Sequence, residues 1–167
     1  MSIDHRKLDL KEDWPAIPYV TLILVGMSMS AYDLIILQGL RIQLYPMIVG
    51  AAFVIFGGCV RAISRMTLKR AGFGLVSSTR LRVIEKQKIV TGGIYGHIRH
   101  PLYLGEIIRN IGFPIAAYSL YGLIPILVGN ALLLSRIGIE EKMLVEEFGE
   151  EYEEYMNRTK KLVPYVY

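Results

Sequence analysis

The sequence predicts an all-α integral membrane protein: four transmembrane helices, a connecting segment on the cytoplasmic side and a C-terminal amphipathic helix. Three observations carry that prediction. Hydrophobic residues fill 53% of the 167 positions and charged residues 20%, and the mean hydropathy is +0.38, too apolar for an ordinary soluble domain or a disordered chain. The apolar residues gather into four long runs. Of the 19 lysines and arginines, all but Arg41 and Arg109 fall in segments that four spans would leave on one side.

The first 13 residues are polar. The first apolar run extends from Ile17 to Leu37, broken only by Asp33. At a rise of ~1.5 Å per residue it reaches about 31 Å, enough to cross the hydrocarbon core. It is too long for the apolar part of a signal peptide, and no small-residue cleavage site follows. A second run covers Leu44 to Ile63. The third, Tyr103 to Tyr121, holds Glu106, Arg109 and Asn110 in its first half and Pro114 near its middle. The fourth runs from Gly122 to Ile139. Tyr118 to Gly122 is the only turn between the last two, so they are expected to form an antiparallel hairpin. The chain thus divides into residues 1–63, a polar segment with two spans, and residues 64–167, a connector with the hairpin and tail.

The one-sided lysines and arginines make that side cytoplasmic, with both termini on it. Topology therefore explains the net charge of +4, and no basic recognition motif or stacking platform points to nucleic acid. Arg61, Arg65 and Lys69 recur every four residues where the second span ends, which reads as anchoring to membrane lipid headgroups by snorkelling side chains. A single cysteine, Cys59, excludes an intramolecular disulfide and a cysteine metal cluster, and three histidines leave little room for zinc. No metal is expected. Cys59, beside Gly57 and Gly58, reads as a small packing residue at a helix crossing.

Ionisable groups within spans are functional candidates by default. Glu106 and Arg109 are spaced to pair with each other. Asn130 suits an interhelical hydrogen bond, and Asp33 is expected to reach interfacial water. Gly72 to Gly93 has no helical period, and short extended pieces are expected there. From Glu140 the tail reads as a helix with Leu144, Phe148, Tyr152 and Tyr155 on one face and six glutamates elsewhere. Glu140 and Glu141 differ from those six, because they sit where the fourth span emerges, four residues after Arg136.

One set of residues is more specific than these patterns. Ile89–Val90–Thr91–Gly92–Gly93–Ile94–Tyr95 precedes Arg99–His100–Pro101–Leu102–Tyr103–Leu104–Gly105. Arg136, Glu140–Glu141 and Phe148–Gly149–Glu150–Glu151–Tyr152 follow in order. The ordered set resembles the superfamily of isoprenylcysteine carboxyl methyltransferases and phospholipid methyltransferases, over roughly residues 86–167. The resemblance implies S-adenosylmethionine bound at the cytoplasmic membrane face, and no glycine-rich dinucleotide fingerprint is present to suggest the soluble type. Carried over, Gln87, Lys88, Ile89, Val90, Tyr95, His100, Pro101, Leu102, Tyr103 and Glu140 would line the cofactor site. Arg136 would face the acceptor, and Arg99 and Glu141 would support the reacting centre.

These residue types suit the chemistry. A buried glutamate can pair with the cofactor's ammonium, and exposed backbone donors suit its carboxylate. Tyrosine faces attract a cation and pack against adenine. Methyl transfer is an in-line displacement, so alignment and exclusion of water supply much of the acceleration. An ionised carboxylate acceptor needs no general base, and Arg136 suits such a head. The implied substrate is lipophilic and enters from the bilayer, most simply an isoprenylcysteine-type carboxylate. A phospholipid amine is the alternative acceptor. A nicotinamide-dependent membrane reductase and a non-enzymatic membrane scaffold are the competing classes.

Overall fold

The computed structural model describes residues 14–72 and 89–163. Most of the expected connector, including Gln87 and Lys88, lies outside the described residues, as do both chain ends. Every regular element among the described residues is helical. Helix α1, Ala16–Tyr32, runs on into a π-helical turn, Asp33–Leu37, and α2 is Leu44–Arg70. A 3-10 turn at Gly93–Gly96 precedes α3, Pro101–Ala116, then α4, Leu120–Phe148, and α5, Glu150–Arg158.

Among the described residues, three helices are long and apolar enough to cross a membrane: Ala16–Leu37, Leu44–Arg70 and Leu120–Phe148. The third expected run is shorter than the sequence suggests. Helix α3 has 16 residues, about 24 Å at ~1.5 Å per residue, against a core of ~30 Å. Pro101 starts it at a position that needs no amide hydrogen. Tyr118, at a φ of 51°, turns the chain soon after it ends. Large apolar side chains such as Leu24, Ile55 and Ile124 face outward, as lipid-contacting residues do.

The helices pack as two close pairs, α2 with α3 and α1 with α4, and α3 also meets α1 and α4. Glycines make the pairs close. A Cβ on Gly57 would lie 2.5 Å from the Gly105 carbonyl oxygen, and one on Gly105 would lie 2.6 Å from that of Gly57. Backbones therefore touch, as small residues permit in apolar surroundings. Cys59 does not sit at this crossing. Gly57 occupies it, and Cys59 is exposed.

Asp33 also departs from expectation. It is 5% exposed, and the Ser119 hydroxyl donates to its carboxylate. Ser119 in turn accepts from the Gly122 amide at 3.0 Å, capping α4. A protein donor thus replaces the interfacial water that a lone carboxylate would need.

The tail is two helices rather than one. Helix α4 continues unbroken through Glu140 and Glu141 to Phe148, and Gly149, at a φ of 54°, stops it. That left-handed backbone favours glycine. Tyr152 and Tyr155 of α5 are buried while Glu150, Glu151, Glu153 and Glu154 are exposed. At 29 residues, α4 is about 43 Å long, so its final turns extend past a hydrocarbon core of ~30 Å.

Candidate functional site

The turn before α3 is where distant segments meet. His100 stands at the helix start with Pro101 behind it, and the Leu104 amide makes the first return bond, to the His100 carbonyl at 3.1 Å. The Leu102 amide precedes that bond, in the first turn, where the helix itself offers no acceptor. After α5 the chain passes alongside this turn. The Arg99 amide donates to the Lys160 carbonyl at 2.8 Å, the His100 amide to that of Lys161 at 3.1 Å, and the Lys160 amide to that of His97 at 3.0 Å. Ile98 and Lys160 form a parallel bridge.

Side chains lock the same junction. Arg99 Nε donates to Glu141 Oε1 at 2.8 Å, and its Nη1 donates to the carbonyls of Met156 and Thr159. His100 Nε2 lies 3.2 Å from Glu141 Oε1, and Lys161 Nζ lies 3.0 Å from Glu141 Oε2. Both oxygens of Glu141 are thus committed within the protein. Glu140 differs. Among the described residues its Oε2 is buried without a hydrogen-bond partner, and His100 Nδ1 lies 3.8 Å from it.

Tyrosines complete this end. The Tyr103 ring tilts against His100 with centroids 5.6 Å apart. Tyr95 is buried, and its carbonyl accepts from the Tyr155 hydroxyl at 2.6 Å. Burial, then the charge of Glu140, pushes the Tyr95 hydroxyl well above its ordinary pKa, so it stays a neutral donor. Burial pushes the Tyr155 hydroxyl up to about 12, against a smaller opposing effect from Arg99.

Of the expected site residues, Arg99, His100, Tyr103, Glu140 and Glu141 are therefore in one connected group, with Pro101 buried behind and Leu102 half-buried beside it. Tyr95 joins through Tyr155 and the field of Glu140. Ile89 and Val90 are half-buried in irregular backbone leading to the 3-10 turn. Arg136 stands one turn before Glu140 on the same side of α4, and its charge also acts on Tyr19 of α1. Sequence reasoning missed Lys161, Thr159 and the return of the chain past His97. Tyr155 was visible only as part of an apolar face.

A second polar cluster lies further along the bundle and draws on all four long helices. Glu106 of α3 pairs with Arg61 of α2 through one oxygen and with Arg109 through the other. The Tyr19 hydroxyl donates to Glu106 Oε1 at 3.1 Å. Asn110 Nδ2 donates to Tyr19 at 3.1 Å and to Asn130 Oδ1 of α4 at 3.3 Å. The Glu106–Arg109 and Asn130 contacts follow the expected spacing. Arg61 does not behave as a lipid anchor, because Glu106 offers it a countercharge inside the bundle.

An all-helical bundle with close glycine crossings, three membrane-length helices and a polar junction at one end defines an integral membrane protein with an ordered site at the helix ends. The sequence model for phospholipid methyltransferases matches residues 45–151, and the chain belongs to that family. It is 28% identical over 149 residues to protein-S-isoprenylcysteine O-methyltransferase B of Arabidopsis thaliana, covering 89% of this chain and 74% of that one. The Rattus norvegicus protein-S-isoprenylcysteine O-methyltransferase is 30% identical over 118 residues, 70% of this chain and 40% of its own. The fold is similar to that of the eukaryotic intramembrane Ras methyltransferase ICMT, with a TM-score of 0.71 and 22% identity. That match covers 89% of this chain and 52% of the ICMT chain. This chain is thus similar to part of those longer proteins.

Proposed function

We propose that the chain is an integral-membrane methyltransferase that moves a methyl group from S-adenosylmethionine to the carboxylate of an isoprenylcysteine-type lipid. The observation that carries the reading is Glu140, whose buried Oε2 has no hydrogen-bond partner among the described residues while both oxygens of its neighbour Glu141 are engaged. A buried carboxylate oxygen without a donor is costly unless a ligand supplies one. The cofactor's ammonium is such a donor, and its carboxylate suits the Leu102 amide at the start of α3. The donor set therefore fits the cofactor. When bound, S-adenosylmethionine supplies an electrophilic methyl group on a cationic sulfur.

The chain's own residues do the rest. Tyr95 and Tyr103 offer aromatic faces to the cationic and adenine parts. Arg99, Glu141 and Lys161 hold the turn in register, so that Glu140 and the Leu102 amide keep their spacing. Arg136, one turn from Glu140, orients the acceptor's anionic head and excludes a role as base, since guanidinium stays protonated. An ionised carboxylate needs no proton removed before it attacks. In this reading α3 crosses the membrane as a fourth span, shortened by its polar first half, and both termini and the site are cytoplasmic. Residues 64–167 carry the cofactor site, and residues 1–63 supply two spans that complete the bundle.

The family name favours a second acceptor, the amine of a phospholipid. The deciding experiment uses purified protein in neutral detergent with radiolabelled S-adenosylmethionine, offered a prenylated N-acetylcysteine or phosphatidylethanolamine. Label in an alkali-labile methyl ester supports the first reading, and label on nitrogen transfers the proposal to phospholipid. Failure to bind adenosylhomocysteine by isothermal titration would overturn both.

A further inference from the structure

The arginines along α2 and α3 outnumber the acidic residues of the same helices. Arg61, Arg65, Arg70 and Arg109 stand there, whereas Glu106 is the only acidic residue in the stretches 44–70 and 101–116. Arg61 and Arg109 share that carboxylate, and Arg61 feels the repulsion of both Arg65 and Arg109. The charges of Arg109, Arg61 and Arg136 all act on the Tyr19 hydroxyl. Charged groups within a span are retained where they pair or serve a pathway. Here two arginines, Arg61 and Arg109, have one carboxylate between them.

The hydrogen-bond inventory points the same way. Glu106 accepts from Arg109 and Tyr19 on one oxygen and contacts Arg61 with the other. Among the described residues Arg109 Nε and Arg65 Nε are nevertheless buried without a hydrogen-bond partner, and Glu106 Oε2, though in ion-pair contact with Arg61, accepts no hydrogen bond. The Arg61 and Arg109 side chains are 22% and 31% exposed, so neither is sealed inside the bundle. A guanidinium presents five donors in a planar fork suited to two oxygens at once. Two of them spaced across one carboxylate leave donors for a second oxyanion.

We infer that Arg61 and Arg109, held apart by Glu106, form an intramembrane receptor for the oxyanion head, carboxylate or phosphate, of an amphiphilic acceptor. The inference rests on the methyltransferase reading only in taking that amphiphile to be the acceptor. Glu106 is the resting countercharge, and the incoming head restores neutrality to the remaining cations. Arg136 then stands between this receptor and Glu140, so a head held by Arg61 and Arg109 is brought towards the cofactor end. Arg61, Arg109 and Glu106 are positioning residues, and they act on acceptor binding without touching the methyl donor.

The test is equilibrium binding in neutral detergent, with no turnover required. The probes are a prenylated N-acetylcysteine and its uncharged methyl ester, then dodecyl phosphate and dodecanol. Wild-type protein is expected to bind each acid about tenfold or more tighter than its neutral partner, the scale of a charge-assisted hydrogen bond. Equal binding of acid and ester by the wild type would overturn the inference without any variant. Arg61→Gln and Arg109→Gln should each reduce that preference severalfold while adenosylhomocysteine affinity is retained. An unchanged preference in both variants, or an equal loss for acid and ester, would return the cluster to a purely structural role. Inorganic phosphate should not displace the amphiphiles; displacement would place the site in open water and refute an intramembrane receptor. If adenosylhomocysteine fails to bind but the acid preference and its arginine dependence persist, the methyltransferase reading falls and the receptor stands.

Discussion

Arg99 and Glu141 are 42 positions apart and joined at 2.8 Å, with side chains 8% and 7% exposed. Arg99 also holds the carbonyls of Met156 and Thr159, so one guanidinium ties α4, the turn before α3 and the chain leaving α5. Glu141 therefore serves the architecture, whereas its neighbour Glu140 keeps a buried oxygen in reserve. In the proposed reading, the two adjacent carboxylates divide two tasks.

That division makes opposite predictions for the two glutamates. Glu141→Gln leaves Arg99 and Lys161 without their countercharge, and breaking a buried pair costs about 3–5 kcal/mol. A large fall in the thermal midpoint is expected in detergent. Glu140→Gln removes no protein contact that satisfies its Oε2, so the midpoint should hold. Adenosylhomocysteine affinity should instead weaken by about 1.5–3 kcal/mol, the value of a hydrogen bond to a charged group. Melting curves beside isothermal titration decide it, and the reverse pattern would exchange the two roles.

Tyr155 gives a prediction about alkaline pH. Its hydroxyl donates to the Tyr95 carbonyl at 2.6 Å, and burial pushes its pKa up to about 12 from an ordinary value of 10.0. A group whose folded pKa is raised contributes stability that is complete below the unfolded pKa. That contribution declines as pH rises from about 10 to about 12. Tyr155→Phe should cost about 0.5–1.5 kcal/mol near pH 8, more if the Tyr95 carbonyl is left unpaired. It should also make the loss of stability above pH 10 shallower. Thermal melts at pH 8 and pH 11 test both parts, and an identical alkaline decline in the two proteins would remove Tyr155 from that transition.

The sequence revealed what is local and concealed what is paired at a distance. Apolar runs marked the long helices because a span must satisfy its backbone internally. The i, i+3 spacing marked the Glu106–Arg109 pair, and Pro101 marked the start of α3. Gly149 carried a helix-stop signal that the continuous apolar face of Leu144, Phe148, Tyr152 and Tyr155 obscured. Asp33 and Arg61 were misplaced for one shared reason: their partners, Ser119 and Glu106, are 86 and 45 positions away. A helical period shows which face a charge occupies, not what stands opposite. Lys161 was unreadable on the same ground, since only the return of the chain past His97 brings it to Glu141. At the candidate site, motif order grouped Arg99, His100 and Tyr103 with Glu140 and Glu141. It carried no information on which glutamate is spent.

The orientation proposed from the charge distribution can be tested at exposed positions. With Cys59→Ser as background, Glu154→Cys on α5 and Tyr118→Cys in the α3–α4 turn should lie on opposite sides. A membrane-impermeant thiol reagent applied to intact cells should label position 118 and spare 154 until the membrane is permeabilised. Labelling of 154 alone would invert the topology, and labelling of both would refute a crossing by α4.

The last prediction concerns two adjacent glycines with different surroundings. A Cβ on Gly57 would lie 2.5 Å from the Gly105 carbonyl oxygen and 2.6 Å from the Arg109 amide nitrogen. Neither can move without separating α2 from α3. A Cβ on Gly58 would meet nothing within 4 Å. Gly57→Ala should therefore cost about 1–3 kcal/mol, the range for overpacking a close contact. Gly58→Ala should be neutral or slightly stabilising, because alanine favours the helix by up to about 1 kcal/mol over glycine. The separation has a further consequence. Gly57 is one turn from Arg61, so pushing the helices apart draws Arg61 away from Glu106. Gly57→Ala should then weaken binding of anionic amphiphiles more than that of neutral ones, whereas Gly58→Ala should alter neither. Thermal midpoints and paired amphiphile titrations on the two variants measure both effects. Equal stability would show that the crossing yields without cost, and a stability loss without any change in acid preference would uncouple helix spacing from the arginine cluster.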